Sequence, residues 1–169
     1  MRCDECGFDY DTLPRSAVPG QIVERAAEVA QAVRALDDRK ARRRPREGVW
    51  SPLEYVCHVR DVLVFQDRRV RQAQAEDEPT FAPMNRDERA VAERYNEQDP
   101  TTVADETAAA AQLLAATLDA LPGAGWERTG GYGHPRPQVV TTEWVARHTV
   151  HELVHHLLDI ERQTRPAGV

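Results

Sequence analysis

The chain has 169 residues, 41% of them apolar and 30% charged, which is the composition of a folded globular protein and not of a disordered or fibrous one. Its 22 Lys and Arg against 28 Asp and Glu leave a net charge of −6, the wrong sign for a surface that neutralises many phosphates, so nucleic acid is not expected as a partner. No apolar run reaches the ~20 residues of a membrane span, the polar start has no basic segment leading into an apolar one, and three cysteines make no disulfide framework; a soluble protein of the reducing cytoplasm is expected.

Residues 1–18 read as an N-terminal arm and 19–165 as one domain, because no repeat or low-complexity linker divides the rest. Apolar Ile22, Val23, Ala26, Val29, Ala30, Val33 and Leu36 recur at three- and four-residue spacing, which predicts an amphipathic helix from about Pro19 to Arg43. The basic run Arg39, Lys40, Arg42, Arg43, Arg44 and Arg46 then falls at its C-terminal end, where cations complement the dipole. Ser51-Pro52 with Glu54 is a cap, a first-turn proline and a first-turn carboxylate, and opens a second helix to about Gln74. His58 lies beside the apolar stripe of that helix, and Cys57 reads as a packing residue. A short helix is expected within Asn85–Gln98, and a third long helix from Thr101 to Leu121 ends at Pro122-Gly123. Trp126 to Val140, with three glycines and two prolines, reads as an irregular excursion or weak hairpin. Thr141 or Thr142 caps a last helix to about Gln163. Four long helices with no confident strand imply an all-α four-helix bundle, whose core can hold a site built from facing helices. There is no Gly-rich phosphate loop and no Gly-x-Ser-x-Gly elbow.

The last helix concentrates the chemistry. Four of the six histidines, His148, His151, His155 and His156, fall within nine residues. Imidazole is a common ligand of zinc, and residues four apart share one helix face, so such pairs can grip one ion. Two rows have that spacing: His151 with His155, and His148, Glu152 and His156. The first, with Glu152 between its histidines, spells the His-Glu-x-x-His of zinc hydrolases, but the third ligands that usually complete it are missing. The second pairs a carboxylate with an imidazole, and His58 can add a third ligand. Val150, Leu153, Val154, Leu157 and Ile160 form the buried stripe, and the rows flank it on opposite sides, so periodicity leaves both open. Cys3-Asp4-Glu5-Cys6 is half of a zinc-knuckle pattern. Its missing pair can come from the last-helix histidines that the main site leaves unused, His151 with His155 or His148; reduced cysteines or an oxidisable pair are the alternatives.

Trp50-Ser51-Pro52-Leu53-Glu54-Tyr55-Val56-Cys57-His58 resembles the Trp-Ser/Thr-x-x-Glu-x-x-x-His segment of DinB-like proteins, and His151 to Ile160 resembles their last-helix signature. The likeness extends over roughly residues 20 to 162 and implies a four-helix bundle with a divalent metal, zinc or nickel, on three ligands. Aligned on Ile160, it implies the ligand set His58, Glu152 and His156; a one-residue shift implies His58, His151 and His155. The superfamily includes mycothiol-dependent maleylpyruvate isomerases and other thiol transferases. The implied function is therefore metal-dependent transfer or isomerisation with a low-molecular-weight thiol and an electrophile; from their nearness along the helix, His155 or His151 is expected as proton shuttle. Glu54, Asp61 and Asp159 are candidates to orient the ligands. A non-catalytic, metal-stabilised binding or stress-response module competes with this reading. Pairing through exposed helix faces would give a homodimer.

Overall fold

The computed structural model describes residues 1–133 and 136–164; His134 and Pro135 of the expected excursion, and Arg165 at the expected domain end, lie outside them. In chain order the helices are α1 (Val18–Arg34), α2 (Asp38–Ala41), α3 (Pro52–Ala75), α4 (Arg86–Ala92), α5 (Pro100–Asp119) and α6 (Thr142–Thr164). The caps set the boundaries. Ser51 accepts from the Glu54 amide while the Glu54 carboxylate accepts from the Ser51 amide, a complete capping box ahead of Pro52. Asp99 accepts from Thr102 N–H at 2.8 Å, and the Thr141 hydroxyl accepts from Trp144 N–H at 3.1 Å.

The first helix is shorter than its periodicity predicts. It ends at Arg34, and Asp37 starts α2 by accepting from the Lys40 amide. A competing cap inside the apolar pattern therefore outweighs the continuing stripe. The basic run follows this break and is not merely solvated. Arg42 donates to the carbonyls of Asn96 and Gln98 at 2.7 and 3.0 Å, and Arg44 forms a two-pronged pair with Glu54.

The long helices α1, α3, α5 and α6 make the bundle, in which α1 and α3 each pack on both α5 and α6 and face one another across the diagonal. Ile22, Val29, Leu63, Leu114 and Leu153 are fully buried where these faces meet. The excursion before α6 contains a true hairpin: β1 (Thr129–Tyr132) pairs antiparallel with β2 (Gln138–Thr141), with Thr129 opposite Thr141. This settles the excursion as the hairpin alternative, which the sequence signals only weakly because Gly130 and Gly131 stand where a strand usually carries β-branched residues. Gly130 is there for space, since a Cβ would stand 2.3 Å from the Phe81 ring. Phe81 N–H in turn donates to the Gly131 carbonyl. The hairpin thereby sets Tyr132 against the bundle.

Asp61, buried on α3, accepts from the Tyr95 hydroxyl at 2.6 Å and from Arg60 Nε at 2.9 Å, and pairs with Arg89. Burial alone would raise its pKa, but these partners outweigh burial and hold the carboxyl below its ordinary value. The stability it contributes is present above about pH 4, the ordinary carboxylate value, and is lost as pH falls through the depressed folded value. Tyr95→Phe is accordingly expected to cost about 2 kcal/mol at pH 7, the scale of a hydrogen bond to a charged group. The deficit should shrink in acid as Asp61 protonates, as urea unfolding at both pH values would measure.

Candidate metal centre

His58 on α3 meets Glu152 and His156 on α6. One Glu152 oxygen, Oε2, stands 3.8 Å from His58 Nε2 and 3.6 Å from His156 Nε2, and the two imidazole rings cross nearly at right angles, 4.9 Å between centroids. One ligand atom from each of the three residues falls within 4.8 Å of the others. Two imidazoles and one carboxylate are the donor types of a three-ligand zinc site that keeps a fourth position open.

The electrostatics hold His58 and Glu152 in ligand-ready forms, whereas a cation would have to displace a proton from His156. Burial lowers the pKa of His58, which favours the neutral, metal-binding imidazole. Burial would also raise Glu152, but His151, His156 and His58 outweigh it and hold the carboxyl well below its usual range. His156 is desolvated too, yet hydrogen bonds to Asp159 and Glu152 lift its pKa to about 9. The Asp159 carboxylate lies 3.0 Å from His156 Nδ1 and so fixes the ring with Nε2 toward Glu152. The other two carboxylates expected to orient ligands do different work: Glu54 serves the α3 cap and Arg44, and Asp61 serves Tyr95 and the arginines. His58 Nδ1 is buried with no hydrogen-bond partner among the described residues.

The triad opens into a cavity of about 600 Å³ whose walls include Val62, Gln66, Arg69, Met84 and Tyr132. Arg69 stacks on Tyr132 at 4.5 Å, donates to the Tyr132 hydroxyl and the Ala82 carbonyl, and has no carboxylate partner among the described residues. Sequence reading missed it, although Gln66 and Arg69 continue the face of α3 that His58 and Val62 begin. His148 also borders the cavity, with Tyr10 hydroxyl 2.7 Å from its Nδ1 and Trp144 stacked on its ring at 4.5 Å. Nothing in the sequence announced Tyr10, because an arm residue has no periodicity to reveal what it covers.

The other row turns away from His58. His151 and His155 converge on the arm, where Cys3, Cys6 and both imidazoles bring ligand atoms within 4.8 Å of one another. Burial opposes ionisation of Cys3, but the Cys6 amide, His151, the Glu5 amide and His155 together bring it down to about 6. Cys57 is buried in the core, its Sγ 3.6 Å from the Tyr95 carbonyl, and burial pushes its thiol up to about 12. The His-Glu-x-x-His segment is thus split: its histidines face the thiols, while Glu152 Oε2 faces His58 and His156.

Residues 21–160 match the sequence profile of the DinB superfamily. The chain belongs to the DinB superfamily. Among curated proteins none matches. Of solved DinB-like structures, YfiT from Bacillus subtilis, described as a probable metal-dependent hydrolase with an unusual four-helix bundle topology, superposes with a TM-score of 0.77 at 18% identity, over 88% of this chain and 86% of that one. A mycothiol-dependent maleylpyruvate isomerase superposes with a TM-score of 0.73 at 13% identity, over 90% of this chain but 63% of its own length. Both likenesses establish the DinB fold, and no helix among the described residues is long and apolar enough to cross a membrane.

In the metal-free protein His156 is expected to titrate near 9. Asp159→Asn should bring it down toward the ordinary imidazole value of about 6.5, as an NMR pH titration of the ring protons would report; an unmoved value would mean that Glu152 alone holds the charge.

Proposed function

We propose that this DinB-superfamily protein holds one divalent cation, zinc or nickel, on His58, Glu152 and His156 and catalyses addition or transfer of a small thiol to an electrophile. The observation that carries this reading is the His-Glu-His set, two buried imidazoles around a half-buried carboxylate, at the wall of a cavity large enough for two small reactants. A bound cation there supplies an open coordination position and the Lewis acidity that keeps a thiol ionised near neutral pH.

The remaining work falls to the chain's own groups. Val62 and Met84 give the cavity an apolar wall beside the three ligands. Arg69, a buried guanidinium without a carboxylate partner among the described residues, suits an electrophile that carries a carboxylate. His148, fixed by Tyr10 and Trp144 with Nε2 3.7 Å from Glu152 Oε1, is placed to hold or pass a proton at the cavity wall. His151 and His155, the proton shuttles expected from the sequence, face the Cys3 and Cys6 thiols, so this reading gives the role to His148. Likeness to YfiT favours hydrolysis at the same three residues as the second reading.

Mass-spectrometric metal analysis of untagged protein should find one equivalent of divalent metal lost from His58→Ala and from His156→Ala relative to the parent chain. Thiol consumption with a panel of electrophiles should fail in both variants. Ester cleavage that needs no thiol would favour hydrolysis, and a filled site with no turnover of either kind would leave a binding module. Arg69→Gln should raise KM for carboxylate-bearing electrophiles by about 10- to 100-fold, the loss of a charge-assisted hydrogen bond, and leave uncharged ones nearly unchanged.

A further inference from the structure

The geometry points to a second metal centre, in which Cys3, Cys6, His151 and His155 hold one zinc ion on four protein ligands and fasten the N-terminal arm to α6. Two thiolates with two imidazoles is the donor set of closed, structural zinc sites, and one ligand atom from each of the four residues lies within 4.8 Å of the others.

The arm is shaped for this purpose. Gly7 adopts a φ of +74°, and the turn closes by Gly7 N–H to the Cys3 carbonyl and Cys3 N–H to the Phe8 carbonyl, each at 2.9 Å. A left-handed residue one position after the second cysteine lets both sulfurs face one point, and a side chain there would be strained. Amides of Glu5 and Cys6 address the Cys3 sulfur and that of Phe8 addresses the Cys6 sulfur, the donors that a metal-held thiolate accepts.

The imidazoles answer from the helix. Both ring nitrogens of His151 are buried with no hydrogen-bond partner among the described residues, a costly arrangement that ligation by one of them relieves. Its Nδ1 stands 3.4 Å from Glu152 Oε1, close but not aligned for a hydrogen bond. His155 turns Nδ1 to Cys3 Sγ at 3.8 Å and Nε2 to Glu5 at 3.5 Å and Asp159 at 3.9 Å. A ligand histidine with carboxylates behind its other nitrogen is held in one tautomer and orientation.

This centre shares no residue with His58, Glu152 and His156, so both can fill at once. The third grouping, His148, His151 and Glu152, overlaps both and cannot be occupied beside them. Four protein ligands leave no open corner, which makes the second ion structural. Its effect reaches the cavity through the arm, because Phe8 and Tyr10 pack on His151 at 5.8 and 5.5 Å and Tyr10 also holds His148.

Cobalt(II) loading of the reduced, full-length chain tests the inference. Two equivalents per chain are expected, with the intense near-ultraviolet sulfur-to-cobalt charge-transfer band. His58→Ala should keep that band and one equivalent, which separates this centre from the proposed catalytic one. Cys57→Ser should keep the band, and Cys3→Ser with Cys6→Ser should abolish it. A folded parent chain that binds cobalt without a charge-transfer band, or whose Cys3 and Cys6 thiols react with a disulfide reagent equally fast with and without bound zinc, would overturn the assignment, whatever the variants do.

Discussion

An ionised carboxylate lodged among imidazoles is the constraint on which the rest of the molecule depends. Glu152 sends Oε2 to His58 and His156 and Oε1 to His148 and His151. A charge so placed is tolerable only if its partners are present and correctly turned. Those partners come from two helices, so α3 and α6 must pack with His58 in register with Glu152. Asp159 closes the arrangement by touching His156 on one side and His155 on the other.

The bundle alone would leave this face of α6 unfinished. Two additions complete it. The hairpin brings Tyr132 against Arg69, Trp144 and His148, and the arm brings Phe8 and Tyr10 against His148 and His151. Each addition is short and built on glycine, Gly130 for the close approach of Phe81 and Gly7 for the turn that closes just after the second cysteine. Gly130 gives up intrinsic strand stability for tight packing against Phe81, whereas Gly7 supplies the left-handed backbone that its turn needs. The cavity is in this sense a product of segments that have no helical pattern.

Along the first turns of α3, polar contacts keep the helix in place. Arg44 and Ser51 meet at Glu54, Ser51 and Arg42 are tied to Asn96, and Tyr95 binds Asp61. The Tyr95–Gln98 segment, which carries no chemistry of its own in the sequence, proves to be the strap that joins the start of α3 to the loop before α5. His58 sits two turns into that helix, so the strap also fixes one wall of the candidate centre.

The sequence by itself determined the four long helices, because apolar periodicity, proline at first turns and side-chain caps are local signals that act within one segment. It also determined which residue types could do chemistry, and the motif around Trp50 to His58 with the last-helix signature carried the family. The end of α1 and the hairpin were less legible: at the first a cap competed with a stripe, and at the second glycines stood where strands usually carry bulk. Only tertiary structure decided how the two histidine rows divide. Both rows flank the same buried stripe at nearly equal angles, so which faces α3 and which faces the arm depends on the rotation of α6 in the bundle. That rotation is set by contacts with residues more than ninety positions away, a distance that spacing along one helix cannot encode.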